Sequence, residues 1–409
     1  MALLKNFLVI IFFIVAIISF SHSDQEYYKT LPENNVIHNK REINQKESEK
    51  LGKFNEIVDV EKRQVVFGKY FKWKMPIPYK FEGTVNRQLM FHVLLTIQLQ
   101  TCITFVLTPT IPDKRLGIVF KQTKNCEKVS IRQTINSWQT VYFNEKCMRS
   151  GHIYREVFHL LGMVYEHQRE CRDKFVHIIP ENFARFSASN FIKLPNDDFS
   201  KLATPYDYGS IMHPDKFFFA DNGKKTILPV YPFYKKTMGQ LKYPSFNDFK
   251  RINYYFCAKK CTKKMKCYHG GYQDPHLCVV CKCVPGFSGI RCERFRRPSL
   301  KCHQTVNDAT FKYRTLKNSG IKNCSYIIRA PKARHVEVKV LYANIYPKEK
   351  ICNPYNSLEI KFLPDKTTTG IRLCGVNSEF RIISMDTVMI LYFNSMDPNN
   401  KFLLQYKLH

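Results

Sequence analysis

Beyond residue 23 no run of the sequence is long and apolar enough to cross a bilayer, which takes about 20 apolar residues in a helix. Acidic residues are few: 34 Asp and Glu against 64 Lys and Arg leave a formal net charge of +30. Such an excess suits polyanionic partners, namely acidic glycans, anionic membrane surfaces or nucleic acid; the plain alternative is a basic protein with no dedicated anion partner. Cysteine is absent from the first 100 residues, and all 15 follow. In an oxidising compartment that density reads as a disulfide framework, and an odd number leaves at least one thiol free or joined to another chain. At 409 residues the chain is too long for one ordinary domain, and two or three are expected.

Lys5 gives the chain a positive start, Phe7 to Phe20 is apolar apart from Ser19, and Ser21 and Ser23 suit cleavage after Ser23. Residues 1–23 are expected to be a signal peptide, with an uncleaved anchor as the alternative. The protein is then secreted and extracellular, with no membrane span, and secretion argues against nucleic acid. Asp24 to Arg63 is polar and charged, with too few large apolar residues to build a core. Lys62-Arg63 is a dibasic pair just before Gln64, where the composition turns globular. Residues 24–63 are expected to be a removable pro-segment, or otherwise a disordered tail.

The chemistry gathers in residues 151–173, GHIYREVFHLLGMVYEHQRECRD. Val157, Phe158, Leu160, Leu161 and Val164 predict a core helix. Positions i and i+4 of a helix share a face. Histidines at 155 and 159 would therefore aim two imidazoles at one metal, and a bend at Gly162 would bring a third ligand at 165 from another side. This chain has His159, but Arg155 and Tyr165 stand in the other two places. A guanidinium is always protonated and has no lone pair to donate. A tyrosine ligates only as phenolate, against a pKa of about 10. One histidine cannot hold a catalytic zinc, which takes three protein ligands and a water. His152 lies two turns from His159, roughly 10 Å along the axis, and His167 would have to be carried in by a loop.

That frame resembles the zinc signature of the astacin metalloproteases, H-E-x-x-H-x-x-G-x-x-H-E, in which three histidines hold the metal. The resemblance puts Glu156 at the catalytic position and His159 as the surviving ligand. Loss of a group that merely orients a ligand costs about 10 to 100-fold in metal affinity or activity, and loss of two ligands costs more. Without zinc no water is acidified for Glu156 to use. A hypothesis follows, that Arg155 fills the metal's place with its own charge.

Residues 64–257 keep the rest of the family's frame. Trp73–Phe81, WKMPIPYKF, is similar to its opening strand. Val85 to Gln100 has Leu89, Val93, Leu94 and Ile97 at helical spacing and predicts a helix. Strands are predicted at Thr101–Val106, which matches the family's T-C-I-x-F, at Gly117–Phe120 and at Thr140–Phe143. Tyr206–His213, YDYGSIMH, resembles the Met-turn, whose methionine, here Met212, lies under the family's metal. The next residue is a tyrosine in the family, where it assists zinc binding and the transition state, and Pro214 here. Cys171 stands in an aspartate's place, and Asn247–Cys257, NDFKRINYYFC, is similar to the family's closing segment. No F-x-G-D motif, which caps the zinc from astacin pro-segments, occurs in residues 24–63. The resemblance implies Cys102–Cys257 and Cys126–Cys147 disulfides.

Cys261 to Cys292 holds six cysteines, and Cys281-x-Cys283-Val-Pro-Gly-Phe-Ser-Gly-Ile-Arg-Cys292 resembles the end of an EGF domain. Residues 258–297 are expected to be a small disulfide-rich module. The resemblance implies Cys261–Cys278, Cys267–Cys281 and Cys283–Cys292, although spacing alone leaves the connectivity open. No acidic run precedes Cys261, so calcium is not expected there. From Cys257 to Arg297, ten Lys and Arg face two Asp and Glu; the readings are a heparin-like partner or a solvated linker face. Residues 298–409 alternate in short segments between turn residues, the pattern of a β-sandwich. Cys302, Cys324, Cys352 and Cys374, with YNSLEI and LCG, resemble a CUB domain, which implies Cys302–Cys324 and Cys352–Cys374. Calcium-binding CUB domains carry aspartates where Asn356 and Met396 stand, so no calcium is expected. Asn323-Cys324-Ser325 is a glycosylation sequon. Cys171 is left over and expected free, as a small buried apolar residue or as a reactive or intermolecular thiol.

The expected fold class is multidomain: an α+β astacin-like (metzincin) protease domain, an EGF-like module and an all-β CUB sandwich. The expected function is that of a secreted metalloendopeptidase homologue, catalytically impaired or inactive, that binds extracellular proteins, peptides or matrix. Zinc is the family's cofactor, with none expected here. One alternative is an active zinc endopeptidase whose metal site is rebuilt from His167, Tyr165 or His213. The other is an extracellular glycan or matrix adhesion protein.

Overall fold

A computed structural model describes residues 73–110, 115–123, 138–144, 148–194 and 204–409. The expected signal peptide, pro-segment and Cys126–Cys147 pair lie outside the described residues. The first layer is a four-stranded sheet of β1 (Ile77–Glu82), β2 (Phe105–Leu107), β3 (Ile118–Gln122) and β4 (Gln139–Phe143), in the order β2-β1-β3-β4. All three pairings are parallel. Helix α1 (Arg87–Gln100) packs Met90, Val93, Leu94 and Ile97 into the core beside this sheet. It starts two residues later than its apolar spacing suggests, because the Asn86 side chain caps it by accepting the Leu89 N–H at 3.0 Å.

The strand expected from Thr101 begins only at Phe105. Thr101 instead ends α1: its N–H and its hydroxyl both donate to the Ile97 carbonyl, at 2.9 and 2.7 Å. Cys102 is then held by its disulfide to Cys257. The opening strand is also shorter than expected. Its first residues hold Trp73, whose indole donates to the Leu160 carbonyl at 3.0 Å, and Pro76, which has no N–H for a ladder.

Helices α2 (Ser150–Leu160) and α3 (Phe246–Phe256) complete the core, with Phe158 meeting Phe249 edge to face at 5.9 Å. Ser245 and Asp248 cap α3 reciprocally. A short antiparallel pair, β5 (Val176–Ile178) and β6 (Ile227–Pro229), lies beyond α2. The cysteine-dense module has two small antiparallel pairs, β7 (Tyr272–Gln273) with β8 (Cys281–Lys282) and β9 (Phe287–Ser288) with β10 (Arg294–Phe295). It is stapled by Cys261–Cys278, Cys267–Cys281 and Cys283–Cys292. So little chain buries too small a core to stand without such bonds.

The C-terminal region is a two-sheet sandwich. One sheet is made of β11 (Val306–Asp308), β13 (Lys322–Arg329), β15 (Ser357–Lys361), β16 (Ile371–Leu373) and β19 (Val388–Ser395), in the order β11-β13-β19-β15-β16. The other is made of β12 (Arg314–Ser319), β14 (Val336–Ile345), β17 (Gly375–Asn377) and β20 (Lys401–Leu408), in the order β12-β20-β14-β17, with β18 (Phe380–Ile383) beside β14. Cys302–Cys324 and Cys352–Cys374 close it. Among the described residues Cys171 is the free cysteine, partly buried against an apolar cluster that includes Tyr206 and Tyr208. Asn323 is exposed on β13.

That apolar cluster runs without a break from Val176, Tyr206, Tyr208 and Tyr234 into the interior of the sandwich. Polar contacts fix the junction. The Thr369 N–H donates to Asp207 at 3.0 Å, the Tyr234 hydroxyl donates to the Thr369 carbonyl at 3.3 Å, and the Arg372 N–H donates to the Thr237 hydroxyl at 2.9 Å. Gly209 makes the approach feasible: a Cβ there would meet the Thr369 side chain at 2.4 Å. The sandwich therefore buttresses the turn that carries Met212.

Candidate functional site

Helix α2 sorts its residues by face. Ile153, Tyr154, Val157, Phe158 and Leu160 are buried, whereas His152, Arg155, Glu156 and His159 keep partial exposure. Those four occupy positions i, i+3, i+4 and i+7, one stripe of a helix. The helix stops at Leu161, and Gly162 follows at φ 102°, a left-handed conformation that a side chain resists. The reversal brings Tyr165 back against His159, with ring centroids 5.0 Å apart.

Arg155 reaches from α2 to the turn of Tyr206–His213. Its Nε donates to the Ile211 carbonyl at 2.7 Å and its Nη2 to the His213 carbonyl at 2.9 Å. Burial lowers the Arg155 pKa, opposed by Tyr165, Glu156, Asp215 and Asp248. Burial also raises the Tyr165 hydroxyl; Glu156 raises it further and Arg155 opposes. Tyr165 is thus a neutral phenol. His152 falls to about 4, through burial and then the charges of Arg155 and Arg149.

His213 is fully buried, with Nδ1 2.7 Å from the Pro214 carbonyl and Nε2 2.8 Å from the Tyr206 hydroxyl. A carbonyl only accepts, so Nδ1 carries the hydrogen and Nε2 accepts from Tyr206. Burial pulls His213 below its usual pKa and so favours this neutral form. His159 Nδ1 lies 3.1 Å from the Met163 carbonyl, and His167 Nε2 2.8 Å from the Asn190 carbonyl. Each ring spends one nitrogen on a carbonyl.

These side chains do not make a zinc site. Arg155 offers no lone pair, Tyr165 holds its proton, and both His213 nitrogens are engaged. Among the described residues no three His, Cys, Asp or Glu side chains come together in a way that could hold a metal ion. Met212 is fully buried beneath the stripe's turn contacts, and its carbonyl accepts the Glu166 N–H at 3.2 Å.

Sequence reasoning missed the charged group behind the site. Glu166 is fully buried and pairs with Arg251 and, at 3.1 Å, with Arg169, while also accepting the Asp207 N–H at 3.1 Å. Burial alone would raise its pKa, but Arg251 and Arg169 outweigh that and pull it to about 2. The signal was faint: an arginine beside Ile252 in a helix with several other polar residues, 85 residues from its partner. Nothing in the YDYGSIMH motif marks the bond between the Tyr206 hydroxyl and His213.

Residues 66–257 match the peptidase family described as Astacin. The chain is 29% identical over 325 residues to zinc metalloproteinase nas-34 of Caenorhabditis elegans, covering 78% of this chain and 53% of that protein. It is 30% identical over 355 residues to zinc metalloproteinase dpy-31 of Haemonchus contortus, covering 82% of this chain and 64% of that protein. It therefore spans about half to two thirds of the length of these relatives. Among solved structures, high choriolytic enzyme 1, a hatching-enzyme zinc protease from Oryzias latipes, matches at 30% identity with a TM-score of 0.40, covering 46% of this chain and 94% of that one.

The ion cluster makes acid stability a test. The folded pKa of Glu166 lies below the ordinary 4.5, so its contribution is complete above 4.5 and is lost as pH falls toward about 2. The loss should be on the order of 3 kcal/mol. Asp248, raised to about 6 chiefly by burial, acts in the opposite sense between 3.8 and 6, so the readout is a difference between two proteins. In urea titrations Glu166→Gln should be less stable than the parent by about 3–5 kcal/mol near neutral pH, because it strands buried arginines. The gap should narrow below pH 4.5; a gap that does not change with pH would contradict the assignment.

Proposed function

Because the chain belongs to the astacin family through its domain at residues 66–257, we propose that it is a secreted member that binds peptides or matrix proteins without cutting them. The carrying observation is Arg155: a permanent cation stands at the first ligand position and is bonded to two carbonyls of the turn beneath it. An approaching zinc ion would meet like charge and find one imidazole where the family supplies three. With no metal-bound water, Glu156 has no nucleophile to prepare. A rebuilt active site would need His213 to give up Tyr206, His167 to be drawn from a pocket lined by Phe191 and Phe218, or Tyr165 to lose a proton that burial protects.

The cysteine-dense module and the sandwich are, in this reading, EGF-like and CUB domains that serve binding. No calcium is assigned to the sandwich. Asn356 accepts the Met396 N–H and the Asn400 amide, at 3.1 and 2.8 Å, and donates to the Tyr346 carbonyl at 2.7 Å. A neutral amide closes this network where a calcium site needs carboxylate charge. Among the described residues no helix is long and apolar enough to cross a membrane.

Casein hydrolysis tests the reading. The full chain, before and after cleavage at Arg63, should release no more peptide than its Glu156→Gln variant; hydrolysis that this substitution abolishes would overturn it.

A second reading, adhesion to acidic glycans, is favoured by Lys259, Lys260, Lys263 and Lys266, which are exposed and make no ion pair among the described residues. Disulfides at Cys261 and Cys267 hold the segment that carries them. Retention on a heparin column near physiological salt, weakened by charge-neutral replacements of these lysines, is the expected result. Elution well below that salt would remove the support.

A further inference from the structure

We propose that Arg155 and the Tyr165 hydroxyl form a binding site for a peptide carboxylate, supplied by a C-terminus or by an acidic side chain. The inference rests on the non-cutting, peptide-binding reading above. A guanidinium presents five N–H donors as two forks. The side fork, Nε and Nη2, is taken by the Ile211 and His213 carbonyls. Both are neutral, so they orient the cation without balancing its charge. The end fork, Nη1 and the second Nη2 hydrogen, has no partner among the described residues, and no carboxylate forms an ion pair with Arg155. Arg155 keeps partial exposure, and the unpartnered end fork is the edge left for a ligand. Its planar geometry fits the two oxygens of a carboxylate.

Tyr165 supplies a further donor. Its ring is buried against His159, one turn on from Arg155 along the same stripe. Tyr165 retains 8% exposure, and its hydroxyl makes no hydrogen bond to another described residue. Arg155 and His159 stand one turn apart on α2, and Tyr165 packs on His159, which brings the phenol to the same side of the stripe as the guanidinium. Glu156 works against an incoming anion and limits the affinity; Asp215 and Asp248 do so more weakly.

The test uses the immobilised full chain and three pools of short random peptides. One pool lacks Asp and Glu and ends in a free carboxylate, the second is the same but ends in carboxamide, and the third is amidated and carries one internal Glu. At least one carboxylate-bearing pool should be retained about tenfold better than the plain amide pool, and the arm that shows the excess identifies the source. Arg155→Gln should erase the excess, Tyr165→Phe should reduce it by about threefold or more, and Glu156→Gln should increase it. Equal retention of all three pools, or an excess that Arg155→Gln leaves intact, overturns the site but not the peptide-binding reading. Retention of no pool overturns both. If Arg155→Gln does not fold, since it also loses two carbonyl bonds, Tyr165→Phe and Glu156→Gln decide: an excess unchanged in both overturns the proposal.

Discussion

The two hydrogen bonds from Arg155 to the Ile211 and His213 carbonyls tie helix α2 to the turn beneath it. Everything nearby is arranged to hold that turn still. From one side, Asp248 accepts the Ile211 N–H at 2.8 Å and the Ser210 hydroxyl at 2.5 Å. From another, the Glu166 N–H reaches the Met212 carbonyl. From behind, Thr369 of the sandwich bonds Asp207 and packs over Gly209. A partly buried cation on a helix, facing carbonyls, keeps its orientation only while those carbonyls cannot move. The rigidity of the domain junction and the orientation of Arg155 are therefore parts of one constraint.

The buried ions add a second layer. Glu166 is satisfied by two arginines and an amide, so its desolvation is offset by charge and hydrogen bonding together. Breaking such a set by removing one member strands the others, which makes it a strong lock even where its net contribution to stability is small. Its members come from the loop after α2 and from α3, and its donors reach the Thr204 and Pro205 carbonyls just ahead of the turn. The lock and the Arg155 bonds thus grip the same strip of backbone from opposite ends.

Much of this was legible in the residues. The period of Val157, Phe158 and Leu160 marks a helix, and i,i+4 spacing puts Arg155 in line with His159. Donor chemistry then says that a guanidinium cannot ligate. These inferences are local, which is why they needed no structure. The start of β2 was misjudged because Thr101 has the composition of a strand but the role of a cap, and capping depends on where the preceding carbonyls point. The Glu166–Arg251 pair and the Thr369–Asp207 contact were out of reach, because nothing at either end identifies a partner 85 or 162 residues away. Nor does the sequence say that Arg155 would spend its side fork on carbonyls and leave its end fork open.

The most direct measurement is the zinc content of the purified protein, by elemental analysis after equilibration with trace zinc and removal of the excess. The expected content is well under one equivalent, about a tenth or less. A content near one equivalent would contradict it, and would mean that the turn at His213 or the loop at His167 rearranges to supply ligands.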